Sequence, residues 1–261
     1  MTKIRKPAVA GMFYPDDARE LTLTVAGYMS DAQANGETIK ALIAPHAGYI
    51  YSGPIAASAY AHLSDCAGTI ERVVLLGPAH RVSLTGLAVC SAESFATPLG
   101  NVAVDTEAVQ DILALPQVVL SDEAHASEHS LEVHLPFLQT ICPGFKIVPL
   151  VVGQASVAEV AELLERLWGG PETIIVVSSD LSHYHDYATA HILDAGTAKA
   201  IEALDPAGLR YDCACGQVAI RGLLQTARKK GLRARAVDLR NSGDTAGPHS
   251  RVVGYGAFVF A

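Results

Sequence analysis

The chain has 261 residues, half of them hydrophobic and 18% charged, so it carries ample apolar material for a core and is neither disordered nor low-complexity. Size scaling gives roughly 10,900 Å² of folded surface against about 39,700 Å² unfolded, enough burial for a stable fold without staples. A formal net charge of −8 and no basic run beyond Arg228-Lys229-Lys230 argue against tight binding to nucleic acid.

Five cysteines (Cys66, Cys90, Cys142, Cys213 and Cys215) are an odd number and form no disulfide framework. That usage fits a reducing compartment, and a cytoplasmic location is expected. The apolar stretch after Lys3, Arg5 and Lys6 is too short, and too soon broken by Pro15, for a secretory signal. No run approaches the roughly 18 apolar residues of a spanning helix, so no membrane partner is expected.

In chain order, the pattern predicts a helix over Asp17–Tyr28, a strand over Ala41–Pro45 and a helix over Pro54–His62. Strands follow at Val73–Gly77 and Gly86–Val89, then a helix over Asp105–Ala114. Next come a strand at Ile147–Val152, a helix over Ser156–Leu167, a strand at Thr173–Ser178 and helices over Tyr187–Ala203 and Gly216–Lys230. Ala234–Asp238 and Val252–Phe260 close the chain as strands, the last rich in Val, Gly and Phe and expected to be buried on both faces. No linker or fixed-period repeat interrupts this order. The expectation is one α/β domain over residues 1–261, with a central, mostly parallel or mixed sheet and helices on both faces.

The chemistry concentrates at strand ends. Ala41–Pro45 runs into His46, Val73–Gly77 runs into Pro78-Ala79-His80, and Thr173–Ser178 runs into Asp180 and His183. Open α/β sheets bind ligands outside the carboxyl ends of their strands. If the three strands are parallel, these side chains converge on one crevice. Imidazoles with a carboxylate form the two-His-one-carboxylate set of non-haem Fe(II) sites, and Asp180 is the nearest carboxylate in sequence. Read alone, Asp180 is equally a helix cap or a partner that orients a histidine.

Glu128-His129-Ser130-Leu131-Glu132-Val133-His134 packs two acids and two histidines before the apolar run Leu135–Ile141. Glu128 and Glu132 would share a face on a helix, either as an acidic first turn or as part of a site. The turn Asn241–Pro248 also leaves a strand end, which makes Asp244 a second candidate carboxylate. Cys215 opens a helix, and packing is its ordinary role there. No phosphate-binding loop, dinucleotide fingerprint, G-x-S-x-G or H-E-x-x-H is present.

Several motifs together resemble the Memo family, which includes the bacterial and archaeal AmmeMemoRadiSam system protein B. They are RKPAVAGMFYP from Arg5, PHAGYIYSG around His46, LGPAH ending at His80, EHSLEVHLP, SSDLSHY, the Cys215-Gly216 helix start and SGD followed by VVGYGAF. They occur in order and cover essentially the whole chain. The resemblance implies the fold of class III, LigB-type extradiol dioxygenases, which hold Fe(II) with two histidines and a carboxylate.

It further implies His46 and His80 as metal ligands, and His183 with Asp180 as catalytic groups in the cleft. Tyr49, Glu128, His129, Glu132, His134, Cys215 and Ser242 are expected around the cleft. Animal Memo proteins are associated with a cysteine before the last strand. Residues 234–251 lack one here, so Asp244 is expected as the third ligand, favouring Fe(II), with Zn or Cu as alternatives. The function implied is a dioxygenase-like redox enzyme for a small organic substrate. A phosphotyrosine-peptide or small-ligand binding module and a zinc-type hydrolase are the alternatives. A radical-SAM enzyme and an AMMECR-type protein are the partners that the family name implies.

Overall fold

The computed structural model describes residues 3–210 and 212–261. The strands are β1 (Ile4–Arg5), β2 (Ala41–Ala44), β3 (Arg72–Pro78), β4 (Leu87–Val89), β5 (Ser94–Thr97) and β6 (Gly100–Val104). They continue as β7 (Val118–Leu120), β8 (Lys146–Val152), β9 (Thr173–Ser178), β10 (His183–His185), β11 (Ala234–Asn241) and β12 (Val252–Phe260). The helices are α1 (Ala18–Asp31), α2 (Tyr49–Tyr60), α3 (Thr106–Ile112), α4 (Asp122–Ala126), α5 (Leu135–Ile141), α6 (Val157–Arg166), α7 (Tyr187–Glu202) and α8 (Gln217–Lys230).

The strands form one mixed sheet in the order β1-β5-β6-β8-β3-β9-β2-β12-β10, with β11 also on β12, and β4 joining β8 to β7. Its centre is parallel: β8 pairs β3, β3 pairs β9 and β9 pairs β2. Ala41–Ala44 and Thr173–Ser178 are wholly buried, and their Val/Ile/Leu content suits a strand covered on both sides. Beyond β2 the sheet turns antiparallel through β12, which is buried along nearly its whole length. Helices cover both faces. α2 packs on β2 and β12 with α1 and α5 against it, and α8, backed by α6, packs on β3 and β9. The accessible surface, 10893 Å², agrees with the size scaling.

Two glycines let chain segments approach the strand ends closely. A Cβ on Gly77 would lie 2.6 Å from Ser130 Oγ, so glycine lets the Glu128–Ser130 loop wrap the end of β3. A Cβ on Gly216 would lie 2.6 Å from the Ser178 carbonyl oxygen and 2.7 Å from Ser179 Cβ. Glycine there lets the start of α8 abut the end of β9 and seats Cys215 beside it.

Candidate metal centre

Because β2, β3 and β9 run parallel, their carboxyl ends deliver His46, His80 and Asp180 to one edge of the sheet. The His46 and His80 ring centroids are 5.1 Å apart, and His129 sits 5.5 Å from His46 and 4.7 Å from His80. These three rings, with Asp180 and His183, line a cleft of about 600 Å³.

Hydrogen bonds fix how each ring presents its nitrogens. His46 Nδ1 lies 2.6 Å from Ser178 Oγ, and that hydroxyl donates its one proton to the Ser130 carbonyl. Ser178 therefore accepts from His46 Nδ1–H, which leaves the Nε2 lone pair free. His80 Nδ1 lies 3.0 Å from Glu128 Oε1. Burial raises the Glu128 carboxyl, but bonds from the His80 ring and from the amides of His80 and Ser130 outweigh it and hold Glu128 at about 2. An ionised acceptor places the proton on His80 Nδ1 and frees Nε2 as well. Burial, with His80 and His129 as neighbours, pushes the His46 imidazole well below its ordinary value, so it is a neutral donor.

The third candidate donor is Cys215. Its Sγ is 3.4 Å from His46 Nε2 and accepts from the Asp180 amide at 3.2 Å. Burial and the Asp180 charge raise the thiol, which an ion would deprotonate on binding. His46, His80 and Cys215 each offer a ligand atom, all within 4.8 Å of one another. His80, Glu128 and His129 satisfy the same distance test. In that second group, though, both Glu128 oxygens are occupied by the His80 ring and the amides of His80, His129 and Ser130. Glu128 therefore serves to hold His80. The two free imidazole lone pairs beside a thiol are the set that suits a borderline or soft ion.

A family profile described as Memo-like protein matches residues 5–259. The chain belongs to the Memo-like family. A "MEMO1 family protein" of Ignicoccus hospitalis is 38% identical, with 98% of each chain covered. Another, from Aquifex aeolicus, is 37% identical with 99% of each covered. Among solved structures, an uncharacterized protein of Escherichia coli K12 superimposes with a TM-score of 0.56 at 13% identity, covering 83% of this chain and 99% of that one. At that identity the likeness is one of fold.

Within this Memo-like chain several expected positions fall elsewhere. Asp244 is exposed and already engaged: Oδ1 accepts from Tyr187 at 2.6 Å and Oδ2 caps the Asn241 amide at 2.8 Å. It belongs to neither group of residues whose ligand atoms lie close enough to share an ion, whereas Cys215 belongs to one. Glu128 and Glu132 do not share a helical face, because residues 128–131 form a loop before a single 3₁₀ turn at Glu132–His134. Glu132 is instead buried against Arg5, the amides of Ala8 and Val9, and the Tyr14 hydroxyl. His134 is fully buried on Tyr60, and Tyr49 sits in the core with its hydroxyl on the Val133 carbonyl.

Ser242 does line the cleft and accepts from the Val253 amide at 3.1 Å. His183 lines it too, its Nδ1 donating to the Leu181 carbonyl at 2.7 Å. Sequence reasoning missed Phe13, Tyr51, Arg81, Tyr184, Arg251 and Tyr255, which complete the walls. Four of them, Phe13, Tyr51, Tyr184 and Tyr255, lie inside the motifs quoted above, and Arg81 and Arg251 directly flank two of these motifs. Tyr184 takes φ 64°, an uncommon conformation for a bulky residue, with the Arg251 guanidinium 4.3 Å from its ring centroid.

Proposed function

We propose that this Memo-like protein is a metal-dependent oxidoreductase for a small organic substrate, its ion held by His46 Nε2, His80 Nε2 and Cys215 Sγ. The observation that carries this reading is the pair of imidazoles whose Nδ1 protons are tied up by Ser178 and Glu128, leaving two lone pairs beside one thiol. When bound, a redox-active ion would supply electron transfer to or from a substrate in the cleft. A thiolate in place of the expected carboxylate shifts the preference from Fe(II) toward Cu(I), with Fe(II) still compatible with the imidazoles.

The chain's own groups supply the rest. Glu128 and Ser178 hold the two imidazoles in orientation. Asp180, raised by burial and only partly offset by its bond from the His46 amide, is a buried acid at the cleft floor that can keep or release a proton. His183, with Nδ1–H committed to Leu181, keeps Nε2 for accepting a proton from a substrate. Phe13, Tyr51 and Tyr255 supply apolar walls that exclude water around an organic molecule.

Elemental analysis after anaerobic purification tests the reading. Wild type should carry about one redox-active ion per chain. His46→Ala, His80→Ala and Cys215→Ser should lose it while still melting cooperatively. Asp244→Asn and His183→Ala should keep it. Stoichiometric zinc would replace the redox reading with a hydrolytic one. Wild-type metal content in Cys215→Ser would overturn the ligand set.

A further inference from the structure

The cleft is graded in depth and in charge. His46 and Asp180 are buried at its floor, whereas Arg81 and Arg251 are exposed at its mouth. Asp180 is the one acid among the described lining residues, and burial raises its carboxyl toward the neutral form. The ion pairs of the structure engage Arg5, Arg72, Arg166, Arg235 and Arg240, and neither Arg81 nor Arg251 is among them.

Both guanidinium groups bear on the cleft. Tyr184 is the extra residue of a bulge, since His183 pairs Val253 and His185 pairs Val252. Arg251 directly precedes that pairing, and its guanidinium lies over the Tyr184 ring, itself part of the cleft wall. Stacking uses the face of the guanidinium and leaves its in-plane N–H donors free. Arg81 follows His80 in the chain; burial, then the His80 and Arg81 charges, hold the His129 imidazole below its ordinary value against the pull of Glu128. α2 also begins here: Gly48 offers no side-chain cap and the first turn holds no acid, so the positive end of the helix adds to the two arginines. On a chain of net charge −8, such a cleft gathers anions.

We propose that the substrate is a small organic anion, its carboxylate or phosphate held at the mouth by Arg81 and Arg251 and its apolar body directed inward against Phe13, Tyr51 and Tyr255. This rests on the reading of the cleft as the substrate site and names the substrate class for it. A guanidinium presents a planar fork of donors that matches either oxyanion, so the arginines set orientation as well as affinity. The charged end stays at the mouth, and the opposite end of the molecule reaches the imidazoles.

Ligand-observed NMR titration of the metal-stripped full chain tests this with benzoate, phenylphosphonate and the neutral benzamide, which share one ring. At about 0.1 M salt at least one anion should bind about tenfold more tightly than benzamide, and the tighter of the two names the oxyanion. Raising the salt to about 1 M should remove most of that preference, because exposed charges are screened. Arg81→Gln and Arg251→Gln should each weaken the anion about three- to tenfold and leave benzamide unchanged. Arg251→Lys, which keeps the charge and loses the fork, should fall between wild type and Arg251→Gln. Arg233→Gln, at an exposed arginine outside the cleft, should change nothing.

Equal affinities for the three compounds, an anion preference kept in both glutamine variants, or one lost in Arg233→Gln would overturn the proposal. Metal separates it from the reading it rests on. A preference that appears only when the metal is restored, and survives both glutamine variants, would make the anion a ligand of the ion; the arginine proposal then fails and the metal centre stands. An arginine-dependent preference in a protein that carries no metal after anaerobic purification would do the reverse.

Discussion

Glu128 shows how much of this site depends on a buried residue that orients its neighbour. Its carboxylate accepts from the His80 ring and from three backbone amides, so it sets both the tautomer and the angle of the ring. Glu128→Gln should weaken metal binding by about 10–100-fold, the usual cost of losing such a partner, without abolishing it. Competition against a chelator of known affinity measures this, and unchanged affinity would show that His80 is held by other means. The histidines were legible in the sequence because each follows a strand end at a fixed short distance. Cys215 was not legible as a neighbour of His46. It comes 37 residues after the last residue of β9, and only the close approach at Gly216 returns it to that strand end. Asp244 looked suitable by position, but a short acid in a turn satisfies neighbouring amides and hydroxyls, as this one does.

At the scale of elements, the EHSLEVH segment divides into two functions. His129 lines the cleft and Glu128 holds His80 from behind it, while Glu132 and His134 anchor the segment to the core. Arg5 and Glu132 form an ion pair that is almost wholly buried. Glu132→Ala would leave a buried guanidinium uncompensated and should cost about 3–5 kcal/mol. Denaturant melts would read this directly, and a loss below about 1 kcal/mol, the scale of a surface pair, would contradict it. The sequence pattern located the long buried strands well, since unbroken Val/Ile/Leu runs have few alternatives. It missed β1, β5, β6, β7 and β10, which have two to five residues each and exist through their pairing partners more than through their own pattern. α2 begins at Tyr49, five residues before the Pro54 taken as its start. The bond that Pro54 cannot make falls at Ile50, which is 63% exposed, so water can satisfy the freed carbonyl.

For the whole molecule, the α/β alternation was the most legible feature, and the parallel order β3-β9-β2 turned three separate histidine loops into one edge. Among the described residues, no helix is long and apolar enough to cross a membrane. The fold also carries an acid sensitivity. Burial pushes His125 down to about 4 and His134 down to about 3, and the bonds to Glu128 hold that group at about 2 despite its burial. Each binds fewer protons when folded than when unfolded. Their stabilisation is therefore complete above the ordinary histidine value and is lost as pH falls through 6.5 and then 4.5 toward these folded values. The melting temperature of the metal-free protein should fall steadily from pH 7 to pH 4, and a flat profile would contradict the assignment of these groups as buried and neutral, or bonded and ionised.

On the function proposed above, one ion is held by two imidazoles and the Cys215 thiolate. X-ray absorption at the metal edge of anaerobically purified protein tests it most directly. A single sulfur scatterer at about 2.2–2.3 Å is expected together with imidazole nitrogens at about 2.0–2.1 Å, with loss of the sulfur shell in Cys215→Ser. A spectrum fitted by nitrogen and oxygen alone, unchanged by that substitution, would contradict it.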